Sequence, residues 1–294
     1  MMTFGEKLKS IRKHVGMSQE KLAEKIGVSR QAITKWETDR GIPDIENIMA
    51  ISKLFDISVD ELISGQKSTK NQTDYLYESV TEYDIDHAKR YDMKLGGANK
   101  IMVSGYDGEK IRIRLASNTL STIQSDFKLK IDDIKNCIDL AMNRLNKMTE
   151  ASAKESLYIY VQLPQKYITR IELDAHAKSI ELRSLNSDSI ELDIKSTEII
   201  LEDVAGTVEI NCNLDMNIVC NTLDGAVEIN QLNSTSRIQV PQEIRFKAVR
   251  KGLGNSISYQ KNNIKVECFA DEDSENVIEL NGIRSELVIC TSDC

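Results

Sequence analysis

Residues 19–36 read QEKLAEKIGVSRQAITKW, and this stretch predicts two short helices joined by a tight turn. Ser18 and Ser29 are favourable N-cap residues, so we expect helices over Gln19–Ile26 and Arg30–Glu37. Only about three residues separate the two predicted helices, which sets them at a steep angle to each other.

Four residues of this stretch have the properties of structural positions in such a unit. They are Ala23 at the closest crossing, Gly27 at a turn that needs a positive φ angle, and Ile33 and Trp36, which pack the helices together. Helix signals continue on both sides. A first helix begins near Phe4, a fourth runs from the cap Asp44 through Phe55, and a short fifth runs from Ser58 through Ile63.

The combination resembles the helix-turn-helix of the XRE family, the phage-repressor and Cro-like regulators. The resemblance covers residues 4–65, about a fifth of the chain. It implies that the third helix enters the major groove of operator DNA with its N-terminal residues against base edges. The base-reading candidates are Arg30, Gln31, Thr34 and Lys35, and the candidates for phosphate contacts are Gln19, Ser29 and Arg40.

The charge distribution agrees with a DNA-binding head. The 294-residue chain has 38 basic and 46 acidic side chains, a net charge of −8, which excludes a basic coat over the whole surface. Residues 1–43 nevertheless carry nine basic and five acidic side chains. A short basic segment on an acidic body suits a head that meets an anionic polymer.

Several functional classes lack support in the sequence. No apolar run approaches 18 residues, and the N-terminus is charged, so we expect neither a transmembrane helix nor a signal peptide. The six cysteines show no framework spacing, which favours free thiols in a reducing cytoplasm. No metal-ligand spacing, phosphate-binding loop or nucleophile with a nearby histidine is evident, so we expect no catalytic residue, no metal, no cofactor and no enzymatic activity.

The rest of the chain reads as β-structure. Residues 66–75 are polar and aperiodic, which predicts a linker, and residues 76–294 form the body. Alternating apolar residues predict strands near 101–103, 111–115 and 127–131, with a hairpin turn at residues 106–108. Residues 132–150 fit either a strand or a helix.

An internal repeat of about 19 residues begins near residue 157. Its first apolar set, with steps of 19, 19, 19 and 20, is Val161, Ile180, Ile199, Ile218 and Ile238. The second set, with steps of 19, 18 and 19, is Ile171, Ile190, Val208 and Val227. Two alternating sets favour a short parallel β-solenoid with flanking strands over an antiparallel meander. Residues 100–294 loosely resemble β-strand-repeat domains of candidate adhesins, which implies a shape and no activity.

A row of acidic residues accompanies the repeat. Glu172, Glu191, Glu209 and Glu228 follow the same steps as the second apolar set, so they would stack on one outer face about 4.8 Å apart. Two interpretations stay open. The row is either a solvated face that keeps the body acidic, or a docking stripe for a cation such as a basic peptide, a polyamine or Ca²⁺.

Together these features predict an α+β multidomain chain: a five-helix DNA-binding domain over residues 1–65 and an all-β body. We expect a cytoplasmic transcriptional regulator, a repressor that binds a pseudo-palindromic double-stranded DNA operator as a homodimer. Its body would oligomerise or sense a ligand. The alternatives are an antitoxin or phage-type immunity repressor whose body binds a partner protein, and a structural solenoid protein. Ile200 and Val219 predict an outward apolar patch, covered by a second chain or by the strands of residues 101–131.

Overall fold

The computed structural model describes residues 3–14, 17–55, 75–262 and 264–292. The chain divides into two units, Met1–Asp74 and Tyr75–Cys294. The first is a small helical domain, here called the head, and the second is a large all-β domain, here called the body. The predicted fifth helix, and all of the predicted linker except Tyr75, lie outside the described residues.

The described part of the head contains four helices: α1 (Phe4–His14), α2 (Gln19–Ile26), α3 (Arg30–Glu37) and α4 (Ile45–Phe55). Side chains hold the helix starts, because the hydroxyl oxygens of Ser18 and Ser29 accept backbone N–H groups of Lys21 and Ala32 at 3.1 and 3.2 Å. Gly27 ends α2 with a φ angle of +75°, the left-handed conformation that favours glycine.

A compact apolar cluster joins the helices of the head. Its buried members are Leu8, Leu22, Ala23, Ile33, Trp36, Ile48 and Ile51. Helix α1 lies close against the end of α3 at Gly5, where a Cβ atom would stand 2.3 Å from the carbonyl oxygen of Trp36. The backbone N–H of Gly5 also donates to Asp39 at 3.1 Å, so the start of α1 is fixed to the loop after α3.

The described body has sixteen strands and two short helices. In chain order these are β1 (Tyr77–Asp84), β2 (Lys89–Tyr106), β3 (Lys110–Ser117), α5 (Ile123–Asp126), β4 (Phe127–Ile134), β5 (Cys137–Arg144), α6 (Glu150–Ser156), β6 (Tyr158–Pro164), β7 (Ile168–Lys195), β8 (Glu198–Asn211), β9 (Asn217–Cys220), β10 (Asp224–Leu232), β11 (Thr235–Pro241), β12 (Lys247–Leu253), β13 (Ser256–Lys261), β14 (Ile264–Val266), β15 (Val277–Ile283) and β16 (Glu286–Ser292). A 3₁₀ turn at Gln165–Tyr167 precedes β7.

The strands form one connected sheet system. The main path runs β1-β3-β6-β2-β7-β8-β9-β11-β16-β13-β14, while a side branch runs β8-β10-β15-β12 and another runs β2-β5-β4. Antiparallel pairing occurs at β1–β3, β3–β6, β4–β5 and β13–β14, and the other pairs are parallel. The predicted all-β body is therefore confirmed, with parallel pairing through its central part.

The 19-residue register is present in the centre of the body. Ile180, Ile199, Ile218 and Ile238 lie level on β7, β8, β9 and β11, and all four are buried. On the side branch Ile190, Val208 and Val227 are level in the same way. Each strand thus adds an apolar residue beside its neighbour's, which builds a continuous core through the sheet.

Two predictions from local spacing are wrong at the N-terminal side of the repeat. Strand β2 lies between β6 and β7, and Val161 is level with Val103 and not with Ile180. The turn after Tyr106 does not form a hairpin either, because β6 separates β2 from β3. In both cases a strand distant in sequence is inserted. Strand β2 has parallel neighbours on both sides, and its residues Ile101 and Val103 are buried.

The ambiguous segment 132–150 contains a strand and the start of a helix. Strand β5 pairs with β4 through a tight turn at Lys135, whose φ angle is +55°. Helix α6 then begins at Glu150 after the cap Thr149. Ile200 and Val219 are half-buried and level with each other. Strand β2 lies beside β7 in the same sheet, and what covers this pair stays a prediction.

Two glycines with positive φ angles test how tightly the body is stacked. Gly206 has a φ angle of +105°, and a Cβ atom there would stand 1.8 Å from the carbonyl oxygen of Ser187. Gly254 has a φ angle of +68°, but a Cβ atom at Gly254 would have no neighbour closer than 3.6 Å. We expect Gly254→Ala to cost about 1–2 kcal/mol from backbone strain alone. Gly206→Ala should cost about 2–6 kcal/mol, because overpacking is added to strain.

Urea unfolding followed by far-ultraviolet circular dichroism measures both variants against the parent protein. Equal losses for Gly206→Ala and Gly254→Ala would show that the corner at Gly206 is not close-packed.

Candidate functional site

The exposed face of α3 carries the four residues proposed to read bases. Arg30, Gln31, Thr34 and Lys35 are all exposed, whereas Ile33 and Trp36 on the opposite face are buried in the head's core. The spacing of one helical turn between the two exposed pairs places all four on one side of α3. The described head therefore presents two cations, one amide and one hydroxyl from a single capped helix.

The three predicted phosphate contacts lie at the borders of this face. The hydroxyl oxygen of Ser29 accepts the N–H of Ala32 and so caps α3. The backbone N–H of Arg40 donates to the carbonyl oxygen of Lys35 at 2.9 Å, and the Arg40 side chain is exposed. Gln19 is half-buried at the start of α2, beside Thr34.

The side-chain amide of Gln19 is held from both ends. Its Nε2 donates to Glu37 Oε2 at 2.8 Å, and its Oε1 accepts the hydroxyl of Thr34 at 3.3 Å. The same Thr34 hydroxyl lies 3.0 Å from the carbonyl oxygen of Arg30, one turn earlier. These contacts connect the start of α2 to the exposed face of α3 and fix the orientation of the Gln19 amide.

A buried ion pair lies behind this network. Arg12 of α1 donates from Nε to Glu37 Oε1 at 2.5 Å and from Nη2 to Glu37 Oε2 at 2.9 Å. Nη1 of Arg12 also donates to the carbonyl oxygen of Met17 at 2.6 Å. Burial raises the pKa of Glu37, but hydrogen bonds from Arg12 and Gln19 outweigh burial and bring that pKa below its usual value. Glu37 is therefore an anion that ties α1, α2 and α3 together.

Sequence reasoning missed Arg12 and Glu37 as members of the site. A signal was present, because Arg12 stands four residues after Leu8 and Glu37 four residues after Ile33. Both charged residues thus occupy helix positions that face the apolar core. Charged residues at such positions are buried only when paired, so the two positions together indicate an ion pair.

In the body, the acidic row is a feature of the register. Glu191, Glu209 and Glu228 are direct neighbours on β7, β8 and β10. Asp92 of β2 lies opposite Glu172, and Glu279 of β15 lies opposite Glu228, so the row is longer than the repeat predicts. The four predicted glutamates are half-buried.

Neighbouring side chains compensate part of this charge. Arg170 bridges Glu172 and Glu191, with nitrogen–oxygen distances of 3.2 and 2.7 Å. Lys251 pairs with Glu279 at 2.8 Å. One rung further along, amide side chains form a ladder in which Asn211 donates to Asp193, Asn230 to Asn211 and Asn281 to Asn230. Asn230 also donates to Glu209 at 2.7 Å.

Two glutamates of the row carry raised pKa values. Burial and the adjacent carboxyl of Asp92 raise the pKa of Glu172. Burial, together with the charges of Glu279 and Glu209, raises the pKa of Glu228. The ionised row is therefore unfavourable at these two positions, as expected for like charges on adjacent strands.

One group in the described residues has donor atoms close enough for a metal ion. Asp92, Cys137 and Asp139 place one donor atom each within 4.8 Å of the others. The Cys137 thiol donates toward Asp139 Oδ1 at 3.3 Å and Asp92 Oδ2 at 3.5 Å. Burial and these carboxylates raise the pKa of Cys137 to about 11, so without a bound cation the sulfur is a neutral thiol.

A groove of about 520 Å³ lies at the end of the amide ladder. Leu214, Leu232 and Ile283 form its apolar wall, and each of them is more than two-fifths exposed. Asn211, Asn230 and Asn281 also line the groove. Among the described residues, no helix has both the length and the apolar character needed to cross a membrane.

Comparison with known proteins concerns mainly the head. A family model described as helix-turn-helix matches residues 8–62. The HTH-type transcriptional activator BcrR of Enterococcus faecalis is 47% identical over 66 residues, 22% of this chain and 32% of BcrR. The cryptic phage CTXphi transcriptional repressor RstR of Vibrio cholerae is 30% identical over 95 residues, 32% of this chain and 85% of RstR.

Two solved structures match different units. The P22 c2 repressor in complex with synthetic operator DNA is 35% identical, with a TM-score of 0.22, over 22% of this chain and all of that one. A candidate cell adhesion protein from Clostridium sporogenes is 16% identical, with a TM-score of 0.37, over 74% of this chain and 99% of that one. The chain spans only about a third of BcrR, and the similarity to these two relatives covers 22% and 32% of this chain.

The buried ion pair gives a stability prediction for the head. Arg12→Met leaves Glu37 buried without its cation, and we expect a loss of about 3–5 kcal/mol in the free energy of unfolding. The double variant Arg12→Met with Glu37→Leu should recover most of this loss, because no charge stays buried. Trp36 is the only tryptophan and lies in the head's core, so its fluorescence in urea reports unfolding of the head. A single variant as stable as the parent protein would contradict this role.

The raised pKa of Glu228 gives a pH-dependent prediction for the body. A carboxyl whose pKa is raised on folding destabilises the fold above its ordinary pKa, because the ionised form is disfavoured there. Glu228→Gln should therefore stabilise the protein at neutral pH, with the gain disappearing toward about pH 4. Added salt should reduce the gain at neutral pH.

Glu191→Gln is the matched control, because it loses the ion pair with Arg170 and should bring no gain. Thermal melts of both variants at neutral and acidic pH make the comparison. A gain for Glu228→Gln that is independent of pH would contradict the electrostatic explanation.

Proposed function

Because the chain belongs to the family of helix-turn-helix transcriptional regulators, we propose that it is a sequence-specific repressor that binds a pseudo-palindromic operator as a homodimer. The observation that carries this proposal is the exposed face of α3, with Arg30, Gln31, Thr34 and Lys35 on one side. It is supported by the P22 c2 repressor, which is similar over the head and whose structure contains operator DNA.

The base-reading roles follow from hydrogen-bonding chemistry. The guanidinium of Arg30 can donate two parallel hydrogen bonds to O6 and N7 of guanine, and the amide of Gln31 can bond N6 and N7 of adenine. Thr34 and Lys35, one turn further, offer a methyl group, a hydroxyl and a cation to the next base pairs. Side chains at the start of the recognition helix are the ones that reach base edges in this motif.

The phosphate contacts orient α3 in the groove. The N-terminus of α2 begins at Gln19, whose amide orientation is fixed by Glu37 and Thr34, and this end of the helix attracts a phosphate. Arg40 and the Ser29 hydroxyl flank α3 at its two ends, so they can bond the DNA backbone on either side of the bases read. Such contacts add affinity and fix register without reading sequence.

The body is proposed to be a short parallel solenoid that links two heads and responds to a ligand. The level positions of Ile180, Ile199, Ile218 and Ile238 support the solenoid arrangement. The acidic row Glu172, Glu191, Glu209 and Glu228 is the proposed ligand stripe, and the uncompensated cost at Glu228 favours a cation there. A cation that binds one state of the body better than another would change how the two heads are spaced.

A second candidate function has a specific observation in its favour. The groove bordered by Leu214, Leu232 and Ile283 exposes apolar side chains next to the amide ladder. Exposed apolar grooves of this kind suit a partner protein. In that case the chain would be an immunity-type repressor or an antitoxin whose body binds another protein.

Binding titrations test the assignment of base and phosphate contacts. Arg30→Ala and Gln31→Ala should each weaken binding to an operator selected from genomic fragments by about 1–3 kcal/mol and relax specificity at one position. Arg40→Ala should weaken all sequences alike and lower the slope of log K against log salt by about 0.9. Fluorescence anisotropy at several salt concentrations measures both effects.

Arg245→Ala is the control for loss of a positive charge, because Arg245 is a largely exposed arginine of the body. It should change neither the affinity nor the salt slope. If Arg30→Ala bound the selected operator as tightly as the parent protein, α3 would not be the reading helix.

A further inference from the structure

We propose that strand β1 is the dimerisation edge of the body, pairing antiparallel with β1 of a second copy; this inference rests on the homodimer of the proposed function. Strand β1 pairs with β3 on one side, and no other described strand pairs with it. It is an eight-residue strand at the end of the main sheet path. A long open edge offers backbone donors and acceptors to another strand.

The backbone groups that face the open edge can be identified. The N–H of Ile85 donates to the carbonyl oxygen of Glu109, which fixes the alternation of the β1–β3 ladder. Backbone N–H and C=O groups alternate in direction along a strand. The backbone groups at every second position before Ile85 therefore also point to β3, namely those of Tyr83, Thr81, Ser79 and Tyr77. The N–H and C=O groups of Glu78, Val80 and Glu82 therefore point away from β3, toward the open edge. Of these, the carbonyl oxygen of Glu78 already accepts the side-chain amide of Gln124 at 3.3 Å, a bond that pairing with a second copy would replace.

The other described edge strands are less suited to pairing. Strand β14 has only three residues. Strand β4 carries Lys128 and Lys130, and β12 carries Lys247, Arg250 and Lys251, which are the cations that commonly protect edges. In contrast, β1 has no lysine, arginine or proline, and its central residue Val80 is 60% exposed.

A second copy is the occupant that the charges fit. With the two-fold axis at Val80, each valine faces its symmetry mate and Glu78 faces Glu82 of the other copy. Two facing glutamates would repel, but each is already neutralised from β3. Arg114 forms a bidentate ion pair with Glu78, and Arg112 Nε lies 3.1 Å from Glu82 Oε1. The pairing therefore brings together valines and compensated carboxylates.

The position of β1 in the chain also fits a two-headed regulator. Residues 56–74 join the described head to Tyr75, immediately before β1. Tyr75 is fixed to the body, because its hydroxyl lies 2.7 Å from that of Tyr160 and its ring lies over Arg114. In the proposed dimer the two Tyr75 residues would stand about 34 Å apart along the strands. Half-sites of an operator are about 34–36 Å apart, so both connecting segments start at a matching separation.

Sedimentation velocity of the full chain at about ten micromolar tests this interface with three matched variants. The change Val80→Lys places a charge at the proposed two-fold axis, and we expect at least a tenfold weaker self-association. The control Ile264→Lys makes the same change on β14, at a residue that is 69% exposed, and should dimerise like the parent protein. The change Val219→Lys tests the competing face of Ile200 and Val219 and should also leave the dimer intact.

A dimer that survives Val80→Lys, or one that is lost only in Val219→Lys, overturns the proposal.

A crosslinking measurement tests the same interface without weakening it. In an antiparallel hydrogen-bonded pair the Cα atoms are about 5.5 Å apart, within the range that a disulfide spans. Val80→Cys should therefore form a disulfide-linked dimer on mild oxidation, whereas Ile264→Cys should give only the background of the parent's exposed Cys268.

Operator binding separates this inference from the proposed function. The monomeric Val80→Lys protein should still bind a single half-site like the parent protein, but should lose at least tenfold in affinity for the full operator. If the parent protein dimerises through β1 and binds no DNA, the repressor function fails and the interface stands. If Val80→Lys binds the full operator unchanged, the interface fails and the DNA-binding function stands.

Discussion

The position of the exposed face of α3 depends on the ion pair of Arg12 and Glu37. The pair crosses from α1 to the last turn of α3, and the second oxygen of the carboxylate also accepts the amide of Gln19. A charged pair with little solvent access is stable only when all of its partners are in place, so it makes the positions of the three helices mutually dependent. The exposed side chains of α3, which are the proposed base contacts, are thereby held in place by groups behind them in the head's core. This arrangement suits a small domain whose described apolar core has only seven buried members.

In the body, the corresponding constraint is the parallel register. Parallel strands that repeat every 19 residues place equivalent residues side by side, which benefits the apolar rung of Ile180, Ile199 and Ile218. The same rule acts on the outer face. For amides it is favourable, because Asn211, Asn230 and Asn281 bond one another along the ladder. For carboxylates the side-by-side placement is unfavourable, and ion pairs with Arg170 and Lys251 offset part of the repulsion. The acidic row is thus a consequence of the register, whatever additional role it has.

Local sequence signals were sufficient for the head and for the centre of the body. Ser18, Ser29 and Gly27 define α2 and α3, because caps and a positive φ angle depend on residues close in sequence. The repeat around Ile180–Ile238 was equally visible, since its apolar residues recur about every 19 positions in the sequence. The sequence did not reveal that β2 is inserted between β6 and β7. It also did not reveal that β15 and β16 pair with β10 and β11. These pairings join segments 50 or more residues apart, and strand periodicity says nothing about which partner a strand takes.

Contacts between elements distant in sequence were also the part of the candidate sites that the sequence did not reveal. The exposed residues of α3 follow from one helical period, whereas the Arg12–Glu37 pair and the group of Asp92, Cys137 and Asp139 require two elements to meet.

In the proposed dimer, the division into a head and a body would have a thermodynamic reason. One recognition helix with four exposed polar side chains can discriminate only a few base pairs, each worth about 1–3 kcal/mol, and a genome offers a very large number of competing sites. A second head that is linked to the first binds at a high effective concentration, so the discrimination of two half-sites is combined without enlarging either head. In the proposed dimer, the body that links the heads must hold its shape while both heads bind one polyanion. A stack of parallel strands with a continuous buried core meets that requirement better than another small helical unit, because most of its contacts join neighbouring strands over its whole length.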